Sequence, residues 1–474
     1  MSQSLRQRVL KGGVYLMTRR LVSLVLGLAG LTLLTRVVGP GAQGLFASAV
    51  GIVTYLTSLG LMGINVYLIR EKRDAPIELF HLAFWWLLFA GIGLCVVGGG
   101  VILLAGHYWI RTEGFIPVAL TLCATVPFTL LSYVPLALLE RELDYRITTR
   151  VEVASQLSYY AVGIAMAWLG YGVWSLVTGY VVSQLILPLG FFGATRYRPR
   201  WYWNRAALRE MLSYSFTQAL AGWVYKITNL TPSMILLPFA GKEAVGYLAI
   251  ANRFMEVVTF AKGPAGRLSI PAFARVQDDL GRLTRAVSEA MRLQTLALGL
   301  PFLLFSLAAP WGLPLLLGQR WDTEILLTTF AILATRVTLS ALFAIQGSAL
   351  YVKKHNMLML WTNIVYGVVF LAMVYPLVAL LPQEYKLYAY VSADLIAHLP
   401  TYWYKHWGMR RYIGRPAYGI TALWTGATLC VLFAPITSAW LYGLATVLML
   451  NPWSLRELRA LLRSIRGSAA AAQP

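Results

Sequence analysis

From Phe80 to Gly106 the chain contains no Asp, Glu, Lys or Arg: FHLAFWWLLFAGIGLCVVGGGVILLAG. A run of about 18 or more apolar residues is what a helix needs to cross the hydrocarbon of a bilayer. Runs of this kind recur from Val14 almost to the C-terminus. In lipid every backbone amide and carbonyl must be paired without water, so only helices and closed barrels span. Barrel strands require short alternating segments, and the blocks here are continuous. The expected fold is therefore an all-α polytopic membrane protein. With 58% hydrophobic and only 12% charged residues among 474, there is too little polar surface for a soluble globule.

Segmentation predicts fourteen helices, at roughly 14–35, 45–69, 80–106, 116–139, 151–169, 173–195, 213–239, 245–273, 293–317, 325–350, 357–381, 387–405, 417–434 and 437–450. The last two are short, so the expectation is 12–14 transmembrane helices. The N-terminal apolar stretch has no small-x-small cleavage site and many spans behind it, so it reads as a retained first helix. Cys95, Cys123 and Cys430 all sit in apolar stretches and suggest neither a disulfide framework nor a metal site. The sequon at Asn229 lies within a span, where glycosylation has no access.

The connecting segments alternate in charge. One side receives Arg6, Arg8, Lys11, Arg19 and Arg20, then Arg70, Lys72 and Arg73, then Arg141, Arg146 and Arg150. It continues with Arg196, Arg198, Arg200, Arg205 and Arg209, then Arg275, Arg282, Arg285 and Arg292. Lys353, Lys354, Lys405, Arg410, Arg411, Arg415, Arg456, Arg459, Arg463 and Arg466 complete it. The other side has Arg36, Arg111, Lys242, Arg320 and Lys386. By the positive-inside rule both termini are expected in the cytoplasm. The net charge of +21 is thereby assigned to orientation and to anionic headgroups rather than to nucleic acid. RPRWYWNR and YWYKHW mix aromatic rings with cations as interfacial belts do. RVQDDLGRLTRAVSEAMR reads as an amphipathic helix lying along the cytoplasmic interface.

An internal repeat organises the spans. QGLFASA (43–49) opens the second span and VGYLAIA (245–251) the eighth. Both place Gly, two large apolar residues, Ala, any residue and Ala in order. Basic loops starting at Arg141 and Lys353 keep nearly the same offset. The expected organisation is a six-helix lobe over 1–205, a second over 206–412, and a terminal helix pair with a basic tail over 413–474. Six being even, the repeat is parallel, an arrangement that places substrate sites at the repeat interface.

Across RVVGPGAQGLFASA (36–49), LGLMGINVYLIRE (59–71), LLERELDYRITTRVEVASQL (138–157), GYGVWSLVTG (170–179), SIPAFARVQ (269–277) and LLLGQRW (315–321) the chain resembles the Wzx-type oligosaccharide flippases. These are polysaccharide biosynthesis proteins of the multidrug/oligosaccharidyl-lipid/polysaccharide (MOP) exporter superfamily. The resemblance implies alternating access of two six-helix lobes, moving undecaprenyl-diphosphate-linked sugars from the cytoplasmic to the outer leaflet of the bacterial inner membrane. It further implies membrane lipids, glycan polymerases and glycosyltransferases as partners.

Several ionisable groups fall inside apolar segments, where each costs a few kcal/mol or more. In ANRFMEVVTFAKGPAGRLSIPAF (251–273), Arg253, Glu256 and Arg267 would share one stripe of an unbroken helix, with Lys262 pointing elsewhere. Arg253–Glu256 also fits an intrahelical ion pair. Lys226 and Asn229 precede Pro232 in the seventh span, and Arg336 is mid-span in the tenth. Asp394 and His398, four apart, share a face of the twelfth. For a lipid-linked diphosphate, Lys226, Asn229, Arg253, Lys262, Arg267 and Arg336 are the expected binding set, since guanidinium forks match phosphate oxygens. Asp394 with His398, and secondly Glu256, are the expected coupling groups for H⁺ or Na⁺. Packing between helices is the alternative role for Asp394–His398. No Walker A loop, HExxH or GxSxG pattern is present, so no enzyme, cofactor or metal is expected. The competing functions are an ion-coupled drug or cation antiporter of the same superfamily, a membrane polysaccharide polymerase or ligase, and a scaffold for glycan assembly.

Overall fold

The computed structural model describes residues 23, 26–27, 29–70, 76–142, 144–260 and 269–459. Most of the first expected span, Lys72, Arg73, Lys262, Arg267 and the last basic residues of the tail lie outside them. Every regular element among the described residues is helical. Two compact units are formed, one from residues 1–249 with 316–321, the other from 250–315 with 322–474. This division follows packing density. The lobe boundaries at 205/206 and 412/413 describe a repeat instead, and they stand as a proposal.

The first unit contains α1 (Ala29–Val38), α2 (Pro40–Leu61), α3 (Ile64–Arg70), α4 (Ile77–Ala105, continued by a wide turn Gly106–Ile110), α5 (Phe115–Cys123), α6 (Val126–Arg141), α7 (Tyr145–Trp168), α8 (Val173–Thr195) and α9 (Arg205–Lys226). Helix boundaries follow local chemistry. Pro40 opens α2 where its missing N–H costs nothing, and Met62 and Gly63, both at positive φ, close it. Asp144 caps α7 by accepting from the Ile147 amide. After α9, Pro232 removes an amide donor, and the chain passes through a tight turn (Ile227–Leu230) and a wide one (Pro232–Leu236) before resuming as α10 (Leu237–Val258). Residues 241 and 242 bear on the span boundary: Gly241 breaks α10 with φ 86 and ψ 172. The seventh and eighth expected spans therefore separate there, a few residues before the expected start at 245.

The glycines of the two matching heptapeptides meet. A Cβ on Gly44 would lie within 1.7 Å of the Lys242 carbonyl oxygen, and one on Gly246 within 2.1 Å of the Pro40 carbonyl oxygen. Only glycine permits main chains to approach so closely. Nearby, Trp321 Nε1 donates to the Thr35 carbonyl at 2.9 Å, and the Arg320 guanidinium donates to the Val37 carbonyl. The segments 36–49 and 315–321, far apart in sequence, are thus neighbours.

The second unit takes up the chain from Ile250 and contains α11 (Leu280–Leu317), α12 (Thr323–Val352), α13 (Asn356–Leu380), α14 (Lys386–Tyr412), α15 (Gly419–Phe433) and α16 (Trp440–Leu450). Asp322 caps α12 by accepting from the amides of Glu324 and Ile325. Two expectations are corrected here. The amphipathic segment before the ninth span is no separate surface helix: from Leu280 it is the first part of α11, one continuous helix of 38 residues. Its apolar residues Leu283, Val287 and Met291 are buried in a core with Leu342, Ile345, Leu350, Leu358 and Met409. The eighth span is not an unbroken helix to 273 either, because the helix ends at Val258 with a turn at Thr259–Phe260. A stripe computed at 100° per residue from Arg253 to Arg267 has no continuous helix to run on.

Eight helices among the described residues are long and apolar enough to cross a membrane. Helices α7 and α14, with 24 and 27 residues, have the length without the apolarity. Polar side chains of these helices bond to neighbouring helices and to their own: Ser155 Oγ of α7 donates to the Ser183 carbonyl at 2.8 Å. α15 and α16 are shorter, at 15 and 11 residues.

Candidate functional site

Two apolar helices of the second unit, α12 and α13, pack with the more polar α14 around a small polar centre. Asp394 and His398 are one turn apart on α14, so their side chains share a face. Arg336 projects from the middle of α12, and its Nε is 3.1 Å from Asp394 Oδ2. From α13, the Tyr366 hydroxyl donates to Asp394 Oδ1 at 2.9 Å. His398 Nδ1 is 2.8 Å from the Asp394 backbone carbonyl and 3.4 Å from Oδ1. A carbonyl only accepts, so Nδ1 carries a proton and Nε2 is the atom left to gain one. Tyr402, another turn along, reaches the Arg336 carbonyl at 3.2 Å and shares a 2.7 Å hydrogen bond with Ser340 Oγ. The Tyr402 ring stacks on Phe343 at 4.8 Å.

The centre holds one guanidinium, one carboxylate and one imidazole. The Arg336 and Asp394 side chains keep only 23% and 14% of their accessible surface. An ionised group so placed requires a partner, since desolvation otherwise outweighs what the fold supplies. Each supplies the other's. Arg336, expected among the substrate cations, is therefore a neighbour of the expected coupling pair. Tyr366 and Tyr402 were absent from the sequence reading. The spacing Asp394, His398, Tyr402 was the available signal for the second of them.

The remaining candidates lie elsewhere. Arg253 and Glu256 form an ion pair of 2.8 Å along one helix, with 41% and 67% of their side chains exposed. Lys226 and Asn229 belong to the first unit, at the irregular stretch after α9. Lys226 Nζ donates to Ser58 Oγ of α2 at 2.9 Å, and Trp223 Nε1 donates to the Ser58 carbonyl at 2.9 Å. Asn229 is exposed, and its carbonyl faces Gly51. Lys262 and Arg267 lie outside the described residues. The structure thus groups Arg336 with Asp394 and His398, groups Arg253 with Glu256, and sets Lys226 and Asn229 along α2.

The helical fold has counterparts among solved membrane-transporter structures. Over 90% of this chain and 92% of the other, the fold is similar to Lipid II flippase MurJ in an inward closed conformation, with TM-score 0.70 and 12% identity. It is also similar to an inward-facing multidrug resistance MATE family transporter of the MOP superfamily, covering 82% of this chain and 94% of that one, with TM-score 0.63 and 17% identity. The family model described as polysaccharide biosynthesis protein matches residues 33–326, and the chain belongs to that family. Among curated relatives, the succinoglycan biosynthesis transport protein ExoT of Rhizobium meliloti is 24% identical over 61% of this chain and 58% of its own length. The lipopolysaccharide biosynthesis protein WzxC of Escherichia coli is 24% identical over 68% of this chain and 66% of its own. The chain thus spans less than two thirds of the length of either relative.

Proposed function

We propose that this protein is a flippase: it carries a polyprenyl-diphosphate-linked oligosaccharide from the cytoplasmic to the outer leaflet of a bacterial inner membrane, by alternating access, for export of a surface polysaccharide. The loop charges support cytoplasmic termini, and glycan polymerases and glycosyltransferases are its working partners. The observation that carries the reading is the Arg336–Asp394–His398 centre held among helices of a MOP fold. Ionisable groups at such depth are costly and mark transport pathways and proton relays by default. The family match and the names of the relatives point the cargo toward surface polysaccharide.

A diphosphate cannot cross hydrocarbon unaided, and guanidinium and ammonium groups are its natural counter-charges. Arg253 and Lys226, together with Arg267 and Lys262, are the cations assigned to it, with Asn229 as a sugar contact. Arg253 is partly exposed, and Glu256 shields it only from along the helix. Lys226 donates a neutral hydrogen bond to Ser58 Oγ. Both are easily released to a phosphate oxygen.

Coupling is assigned to Asp394 and His398, with H⁺ rather than Na⁺ as the ion. Sodium needs oxygen lone pairs without competing cations. At Asp394 one oxygen already faces the Arg336 guanidinium and the other accepts from Tyr366. A proton needs no such vacancy, and His398 Nε2 or the carboxylate itself can take it.

Proteoliposomes loaded with lipid-linked oligosaccharide test the assignment. Translocation above protein-free vesicles is expected, with Arg253→Ala and Arg267→Ala each slowing it at least about tenfold, the loss of roughly one charge-assisted contact. Absence of translocation overturns the flippase reading, and gradient-driven efflux of a cationic dye instead would establish the antiporter. An imposed proton gradient should accelerate wild type and leave Asp394→Asn unchanged. Acceleration by sodium alone would reverse the choice of ion.

A further inference from the structure

The surface of the first unit carries a second feature of chemical interest, away from the ionised centre. Helices α6 and α8 leave between them a groove of about 780 Å³ walled by Phe128, Leu185, Pro188, Leu189 and Phe192, with Arg196 and Arg198 at one end. Leu189 and Phe128 expose 71% and 44% of their surface into or beside it. No carboxylate is among its lining residues. From Leu185 to Arg196 the α8 backbone rises about 16 Å at 1.5 Å per residue, close to half of a hydrocarbon core about 30 Å thick. The groove is therefore one leaflet deep, apolar along its length and cationic at its mouth.

The mouth is built rather than incidental. Arg196 ends α8 in the left-handed region at φ 52, a conformation that costs a non-glycine residue about 1 kcal/mol. The turn it makes sends residues 197–203 back along α4, where His81, Trp85 and Phe89 recur every four residues on one face. The Tyr197 hydroxyl meets His81 Nδ1 at 2.7 Å, Trp85 Nε1 donates to the Arg200 carbonyl at 2.9 Å, and Trp203 packs edge-on against Phe89. Burial pushes the Tyr197 phenol above its ordinary range, so it adds no negative charge. Trp201, 67% exposed, stacks with Trp203. Amphipathic rings concentrated in this way mark the headgroup level of a bilayer, which is where the two guanidinium groups then sit.

We infer that this groove is a binding site for an anionic diacyl phospholipid of the cytoplasmic leaflet, one acyl chain lying along Leu185–Phe192 and the headgroup phosphate held by Arg196 and Arg198. Basic pockets between membrane helices on the cytoplasmic side recognise anionic headgroups, each cation contributing about a fivefold preference. The match of length, apolarity and terminal charge selects a lipid over a free phosphate, which would gain nothing from the apolar wall. The inference does not depend on what the protein transports.

Native mass spectrometry of the purified full-length chain, titrated with phosphatidylglycerol or phosphatidylcholine, tests it. Wild type should retain phosphatidylglycerol preferentially, and R196Q/R198Q should lose most of that preference, about fivefold per guanidinium removed. Gly193 lines the groove and has open space around the position of a Cβ, so Gly193→Trp introduces bulk there. That variant should fold with an unchanged thermal transition and bind phosphatidylglycerol poorly although both arginines remain. Glycerol phosphate should not compete. Preference that survives both R196Q/R198Q and Gly193→Trp overturns the site. Displacement of phosphatidylglycerol by undecaprenyl phosphate at equimolar amounts overturns the choice of occupant.

Discussion

Two of the ion pairs in the second unit differ in kind. Arg253 and Glu256 are three residues apart on one helix, and both remain substantially exposed. Arg336 and Asp394 come from different helices, are mostly buried, and draw in Tyr366 and His398. The local pair can open without disturbing anything packed around it, because water or a ligand replaces the lost partner. The cross-helix pair joins α12 to α14, and neither member can leave without stranding a charge. One pair is suited to exchange partners with an anion, the other to register a proton.

The sharpest way to break this contrast is to remove one member of the buried pair. Arg336→Ala should lower stability by about 3–5 kcal/mol, the cost of an uncompensated buried charge, read as a fall in the thermal transition in detergent. Arg336→Met combined with Asp394→Leu should restore most of that stability while abolishing the response to a proton gradient. A double variant as unstable as the single one would show that packing, not charge, holds the centre. Next in size, Tyr366→Phe removes a hydrogen bond to a charged group and should cost about 1.5–3 kcal/mol. Arg253→Gln should cost no more than about 1 kcal/mol of stability and still slow translocation. Glu256→Gln is the smallest perturbation: stability within about 0.5 kcal/mol, with binding of the lipid-linked diphosphate unchanged or tightened because Arg253 loses its competitor. A loss of stability at Glu256 comparable to that at Arg336 would erase the distinction between the pairs.

How much of this was legible in the sequence depends on the distance over which each feature acts. The apolar blocks at 80–106, 116–139 and 357–381 are helices near their expected bounds, because the period and length of an apolar run are local properties. Asp394–His398 was legible for the same reason, being one turn apart. Its partner Arg336 was visible as an oddity, but the ion pair is a tertiary contact between residues far apart in the chain. The reading of 251–273 as a single helix failed at Val258, where Gly263, Pro264 and Gly266 lay just ahead as a warning of interruption. The expectation for 275–292 erred the other way. Its apolar stripe predicts a helix lying along the cytoplasmic interface, whereas it faces the core of the second unit. A stripe shows that one side is buried without showing against what.

The contact at Gly44 and Gly246 has a mechanical consequence. Helices that meet through side chains interlock, and turning one against the other requires a knob to leave its hole. Where α2 and α10 touch, main-chain carbonyls lie in the space that a methyl group would fill on the facing helix. Such a joint has no teeth at the touching point, with only the Lys242 stem beside Gly41, and a methyl group at Gly44 or Gly246 would hold the two rods apart.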